Sequence, residues 1–236
     1  MSDIWTMMWK ESKDLLFQGG RRSLIRPLIV VGIMGIYLPL QFGSQWVALT
    51  PLGMVLLLWI PFFVIISFIG DAIAGERERH TLETLLASRM PDRAILLGKI
   101  VATVVYAWGM GILSLLLGLI LVDLLRTQGN WMFYPLDLFV DALVLSLLVG
   151  VLGASAGVLI SLRVSTARQA QQILSVGTIV FVFGSIFVLQ AVPANVFASL
   201  TYAQFLLIVM AVIAVLDGIL LGLSLVSFQR SRLILS

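Results

Sequence analysis

The sequence predicts an all-α membrane protein: six transmembrane helices, an N-terminal amphipathic interfacial helix, and a short cytoplasmic helix in the loop between spans two and three. Three observations carry this. Of 236 residues, 60% are hydrophobic and only 11% are charged, whereas a soluble domain has about a quarter charged, so polar side chains cannot cover a water-facing surface. The few charges also divide the chain into apolar blocks. No Asp, Glu, Lys or Arg lies between Arg26 and Asp71, Lys99 and Asp123, Asp141 and Arg163, or Arg168 and Asp217. Third, the basic residues are segregated, fourteen on the side of the termini against Arg126 alone on the other. A spanning helix takes roughly 20 residues. Six of them use about half of the chain, so 1–236 reads as one transmembrane domain without a large soluble part.

Residues 1–26 form the amphipathic cytoplasmic segment. Trp5, Met8, Trp9, Ser12, Leu15 and Leu16 share one helical face, with Asp3, Lys10 and Asp14 opposite. Such a helix lies in the inner membrane interface and ends at Gly19-Gly20, before Arg21-Arg22. It anchors the first span or touches a cytoplasmic partner. Because the first apolar run follows this polar segment and five more follow it, a cleavable signal peptide is not expected. The spans are expected near Pro27 to Gln41, Leu52 to Ala74, Ile100 to Val122, Leu138 to Ser161, Ile173 to Leu189 and Gln204 to Phe228. The first and last charge-free gaps are too long for one span, and Gly43-Ser44-Gln45 through Pro51 and Val192-Pro193-Ala194-Asn195 split them. The segment from Gln190 to Ala203 either dips into the outer leaflet or lies on the surface.

Six spans leave both termini on one side, and the Lys/Arg asymmetry makes that side cytoplasmic in a multi-pass protein of the plasma membrane. Trp46, Trp131, Tyr134 and Tyr202 fall near the outer boundary and Trp5 and Trp9 near the inner one, as an aromatic belt requires. The polarised charges account for a pI of 9.6 without a nucleic acid partner. The absence of cysteine excludes disulfides and thiolate chemistry, and a single histidine excludes a multi-histidine metal site.

Within the apolar blocks few residues carry chemistry. Gly153-Ala154-Ser155-Ala156-Gly157 fits the G-x-S-x-G pattern of a nucleophile elbow, but a base is lacking, since His80 lies in the cytoplasmic loop. Gly150, Gly153, Ala154 and Gly157 instead form a small-residue stripe for helix packing, as do Gly218 with Gly222 and Gly111 with Gly118. Asp71 and Asp141 lie near span ends. Asp217 falls mid-span, where a carboxyl is costly and marks either a buried hydrogen bond, a proton relay or a contact on a substrate path. Pro39 and Pro61 each free a carbonyl inside a span and permit a kink that shapes such a path or adjusts packing.

The loop of residues 75–91 is the most informative segment. Leu82, Leu85 and Leu86 recur at helical spacing beside Arg79 and Glu83, Ser88 to Pro91 breaks the helix, and Asp92 caps the next one. Leucines exposed to the cytosol require a partner protein or the lipid interface to bury them. With Glu76-Arg77-Glu78, Thr81-Leu82-Glu83, Leu85-Leu86, Ser88 and Leu97-Gly98-Lys99 in this order, and Trp9-Lys10-Glu11 followed by Arg21-Arg22-Ser23-Leu24 at the start, the chain resembles the membrane subunits of ABC-2 type ABC transporters. His80 stands where that family usually has glycine, and Arg89-Met90 intervenes between Ser88 and Pro91.

The resemblance implies a permease subunit, mostly exporting, whose substrate path forms in a homodimer or with a related permease and whose coupling helix seats in two copies of a separate ATP-binding subunit. Glu76, Arg77, Glu78, Arg79, His80, Thr81, Leu82, Glu83, Leu85 and Leu86 are then the residues facing that partner. The chain itself has no phosphate-binding loop, since Gly98-Lys99 is followed by Ile100 and Arg93 stands where the first glycine belongs. No catalytic residue and no bound cofactor are therefore expected here, with ATP and Mg in the partner. The competing reading is an ion-coupled secondary carrier using Asp217, and a third is a non-transporting scaffold or intramembrane enzyme.

Overall fold

The computed structural model describes residues 2–14, 28–47, 62–65, 68–69, 73–81, 87, 90–126, 132–191 and 202–228. Regular structure among these residues is entirely helical. Helix α1 is Ser2–Lys13. Helix α2 is Leu28–Phe42, with a π-helical turn at Ile33–Tyr37 directly before Pro39, the residue whose missing N–H disturbs the regular ladder. Gly43, at φ 55°, ends it, and the single turn α3, Ser44–Val47, follows. Of expected span two only 62–65, 68–69 and 73–74 are described, so Pro61 and Asp71 lie outside the described residues. The short α4 is Ala74–Glu78. Four long helices complete the chain: α5, Asp92–Arg126; α6, Leu136–Arg163; α7, Ala167–Ala191; and α8, Tyr202–Ser227. Of these α5, α6 and α8 are long and apolar enough to cross a membrane.

Packing follows the small residues. Helices α5 and α6 lie side by side, tied by Trp108 Nε1, which donates to the Leu143 carbonyl at 3.1 Å. The stripe on α6 receives span two: a methyl group at Gly153 would meet the Phe62 ring at 3.1 Å, and one at Gly157 would collide with Ile69. Phe62 in turn stacks on Phe181 of α7, ring centroids 5.1 Å apart. The main core gathers Phe62, Ile65, Ile69, Ile95, Val104, Ala154 and Val158. Gly35 of α2 brings its backbone against Ser114 of α5. On the other side of α6 runs α8, where Ser224 Oγ donates to the Ser155 carbonyl at 3.3 Å.

Two details of packing emerge. Trp46, expected near the outer boundary, is 1% exposed, its ring turned into the protein. A Cβ on Gly118 would lie 2.7 Å from its indole nitrogen and 2.9 Å from Pro39 Cγ, so the glycine makes room for an inward-turned ring. Among the described residues, the Gly218 and Gly222 pair meets nothing within 4 Å, so no described helix packs into this stripe.

Candidate functional site

Helix α4 sits where the ends of four other helices converge. Its first residue is fixed from α6, the Ala74 N–H donating to the buried Ser161 hydroxyl at 2.9 Å. Its last turn closes through His80, at φ 57°, the one non-glycine residue with positive φ among those described. The His80 N–H donates to the Arg77 carbonyl at 3.1 Å and the Thr81 N–H to the Glu76 carbonyl at 2.9 Å. This pair of bonds is the Schellman closure, whose left-handed position glycine usually fills. The Thr81 hydroxyl adds a third donation to Glu76 O at 3.2 Å.

Between these ends, the three successive charges reach three different helices. Glu76 Oε1 accepts from Lys99 Nζ of α5 at 2.8 Å. Arg77 donates through Nη1 to the Val164 carbonyl at 3.1 Å and through Nη2 to the Leu162 carbonyl at 3.5 Å, at the C-terminus of α6. Glu78 Oε2 accepts from the Ala167 N–H, the first residue of α7, at 3.3 Å. A cation at a helix C-terminus and a carboxylate at an N-terminus both sit favourably in the peptide dipoles.

Lys99 is the centre of the arrangement. It is 1% exposed, and its ammonium also donates to Glu11 Oε1 of α1 at 2.9 Å. Burial works against the charged ammonium, yet Glu11 and Glu76 outweigh it and hold the Lys99 pKa above its ordinary 10.5. The second oxygen of Glu76 is buried without a hydrogen-bond partner among the described residues. Beside the cluster, burial pushes the Asp14 carboxyl up, opposed by Lys10, Lys99 and Arg79. Helix α1 is thus docked through Met7 and Glu11, four residues apart on one face. Met7 is fully buried, and its side chain occupies the space a Cβ on Gly98 would need, at 2.7 Å.

The predicted partner-facing residues therefore divide. Glu76 and Arg77 are half-buried and turned inward, whereas Glu78, Arg79, His80 and Thr81 are exposed. Leu82, Glu83, Leu85 and Leu86 lie outside the described residues. Pro39 is buried against α5. Asp217 is 5% exposed on the α8 face that packs on α6, and neither carboxylate oxygen has a partner among the described residues. It stands ten residues, about 15 Å, before the C-terminus of α8, and no bond joins it to the Lys99 cluster among the described residues. Ser155 is buried with its hydroxyl donated to the Val151 carbonyl at 2.8 Å, which leaves no nucleophile elbow.

Sequence reasoning missed Glu11, Met7 and the closing role of Lys99. The available signal was the adjacency of Gly98 and Lys99, a gap beside a cation, opposite an i, i+4 pair of matching shape and charge. No group of three His, Asp or Glu among the described residues could hold a metal ion.

A sequence model of the family described as "ABC-2 family transporter protein" matches residues 29–235. A search of curated proteins finds no match.

Proposed function

Because the chain belongs to the ABC-2 family of transporter proteins, we propose that this membrane subunit of an ABC transporter is the permease of an ATP-driven exporter. Two copies, or one copy with a related permease, enclose the substrate path in the plasma membrane, with six spans and both termini in the cytoplasm. Two ATP-binding subunits supply ATP and Mg, and seat the loop running from Glu76 to Leu86.

The observation that carries the coupling role is the spread of Glu76, Arg77 and Glu78 over the ends of α5, α6 and α7. A push on the exposed segment beyond them is delivered to three long helices at once, because packed elements shift as bodies rather than deform. Glu11 extends the same tie to α1. Family membership favours ATP as the energy source over an ion gradient at Asp217.

Co-expression with a candidate ABC ATP-binding subunit from the same genome tests the reading. The two should co-purify, and Glu83→Lys should weaken both the association and ATP-dependent transport. Undiminished association and transport in that variant would remove the coupling assignment, and absence of any association would remove the ATPase partner.

A further inference from the structure

Helix α1 has two faces, and only one is used within the chain. Met7 and Glu11 dock on Gly98 and Lys99. Half a turn away, Trp5 and Trp9 are 65% and 58% exposed, and Lys13 continues their row at the same four-residue spacing. The Lys13 ammonium lies 5.0 Å from the centre of the Trp9 ring, within cation–π range.

We propose that this Trp5–Trp9–Lys13 face is a binding surface for anionic phospholipid of the adjoining leaflet. Depth is the first argument. Gly98 and Lys99, which hold α1, immediately precede the charge-free run of α5 from Ile100 to Val122, so the helix is held where the hydrocarbon begins and headgroups lie. Indole rings favour that layer, their apolar bodies in the acyl boundary and their N–H groups toward water. Charge is the second. Lys13 closes the row of rings, and Arg21, Arg22 and Arg26 follow in sequence before the first apolar run, four cations that complement a negative leaflet. The inward face holds its own acid, Glu11, against Lys99, so that carboxylate is turned away from the Trp5–Trp9–Lys13 row.

The test uses the full chain in nanodiscs of mixed phosphatidylcholine and phosphatidylglycerol, with bromine on the acyl chains of one lipid or of the other. Bromine quenches nearby indoles, and the contribution of Trp5 and Trp9 is the difference between wild type and Trp5→Phe/Trp9→Phe. Quenching per mole of brominated lipid should be about threefold or more stronger from phosphatidylglycerol, in line with the electrostatic gain of each lysine near an anionic surface. In Lys13→Gln, which keeps every tryptophan, the preference should fall toward equality. Equal quenching by the two lipids would overturn the anionic specificity. No quenching of the Trp5 and Trp9 contribution by either lipid would overturn the lipid surface altogether and hand the face to a protein partner.

Discussion

His80 occupies the left-handed backbone region at φ 57°, where a residue with a Cβ is strained by roughly 1–2 kcal/mol. Glycine in its place removes that strain while adding freedom to the unfolded chain, so His80→Gly should be neutral or stabilising by up to about 1 kcal/mol. His80→Val, β-branched, should lose about 2 kcal/mol; thermal unfolding in detergent orders the three proteins, and a His80→Gly variant less stable than His80→Val would refute the closure at this residue. Lys99 makes a larger demand. Lys99→Met leaves Glu11 and Glu76 buried without their cation, and breaking a buried pair in this way costs about 3–5 kcal/mol. The triple variant Lys99→Met/Glu11→Gln/Glu76→Gln should recover much of the loss, and failure to recover any would mean that lost packing, not uncompensated charge, is the cause. The sign of the pH dependence follows from the raised Lys99 pKa. A folded-state value above the unfolded one keeps the contribution whole below pH 10.5, and it fades only as pH rises through the higher folded value. A melting temperature that fell between roughly neutral pH and pH 10 in wild type but not in the triple variant would contradict this.

At the level of helices, two stripes with the same small-residue spacing behave differently. Gly157 of α6 has Ile69 where a Cβ would go, whereas Gly218 and Gly222 of α8 have nothing within 4 Å. Gly157→Ala should cost about 1–3 kcal/mol by overpacking, and Gly218→Ala should leave the unfolding temperature of the isolated subunit unchanged. Equal effects of the two substitutions would show that span two does not seat on α6. Spacing alone could not distinguish these stripes, because a small residue announces only that something can approach, not what does. The apolar runs were a better guide. Expected Ile100 to Val122 lies within Asp92–Arg126, and expected Leu138 to Ser161 within Leu136–Arg163. Hydropathy marks the stretch suited to lipid, but the helix continues through its polar ends until Pro91 and Pro135 stop it. For α1 the wheel found the Trp5 and Trp9 face, yet the docking face was hidden, since Met7 and Glu11 look unremarkable until Gly98 and Lys99 are folded against them.

Across the whole molecule, charge placement was the most legible feature and the coupling residues' inward ties the least. The acidic-basic-acidic run reads as partner-facing in sequence, and only the convergence of α5, α6 and α7 turns its charges into three bonds within the chain. That convergence also gives the protein two distinct ends. Lys99, Glu11, Glu76, Arg77, Glu78, Arg163 and Arg168 belong to one. At the opposite end of α5 Asp123 accepts from the Met132 N–H at 3.0 Å, and Tyr134, its phenol pushed up by burial, donates to the Leu115 carbonyl at 3.0 Å. Helix α6 joins the ends and, with 28 apolar-rich residues, is long enough to span. The basic end should face the cytoplasm, because Lys and Arg are retained on that side. With no native cysteine, any introduced one is a unique label. Phe133→Cys, at a position 73% exposed before α6, should react with a membrane-impermeant maleimide in intact cells. Ser165→Cys, exposed just after α6, should react only once the cells are opened. The reverse pattern would invert the orientation and remove the loop from reach of any cytoplasmic ATPase, and reaction of both from outside would mean that α6 does not cross.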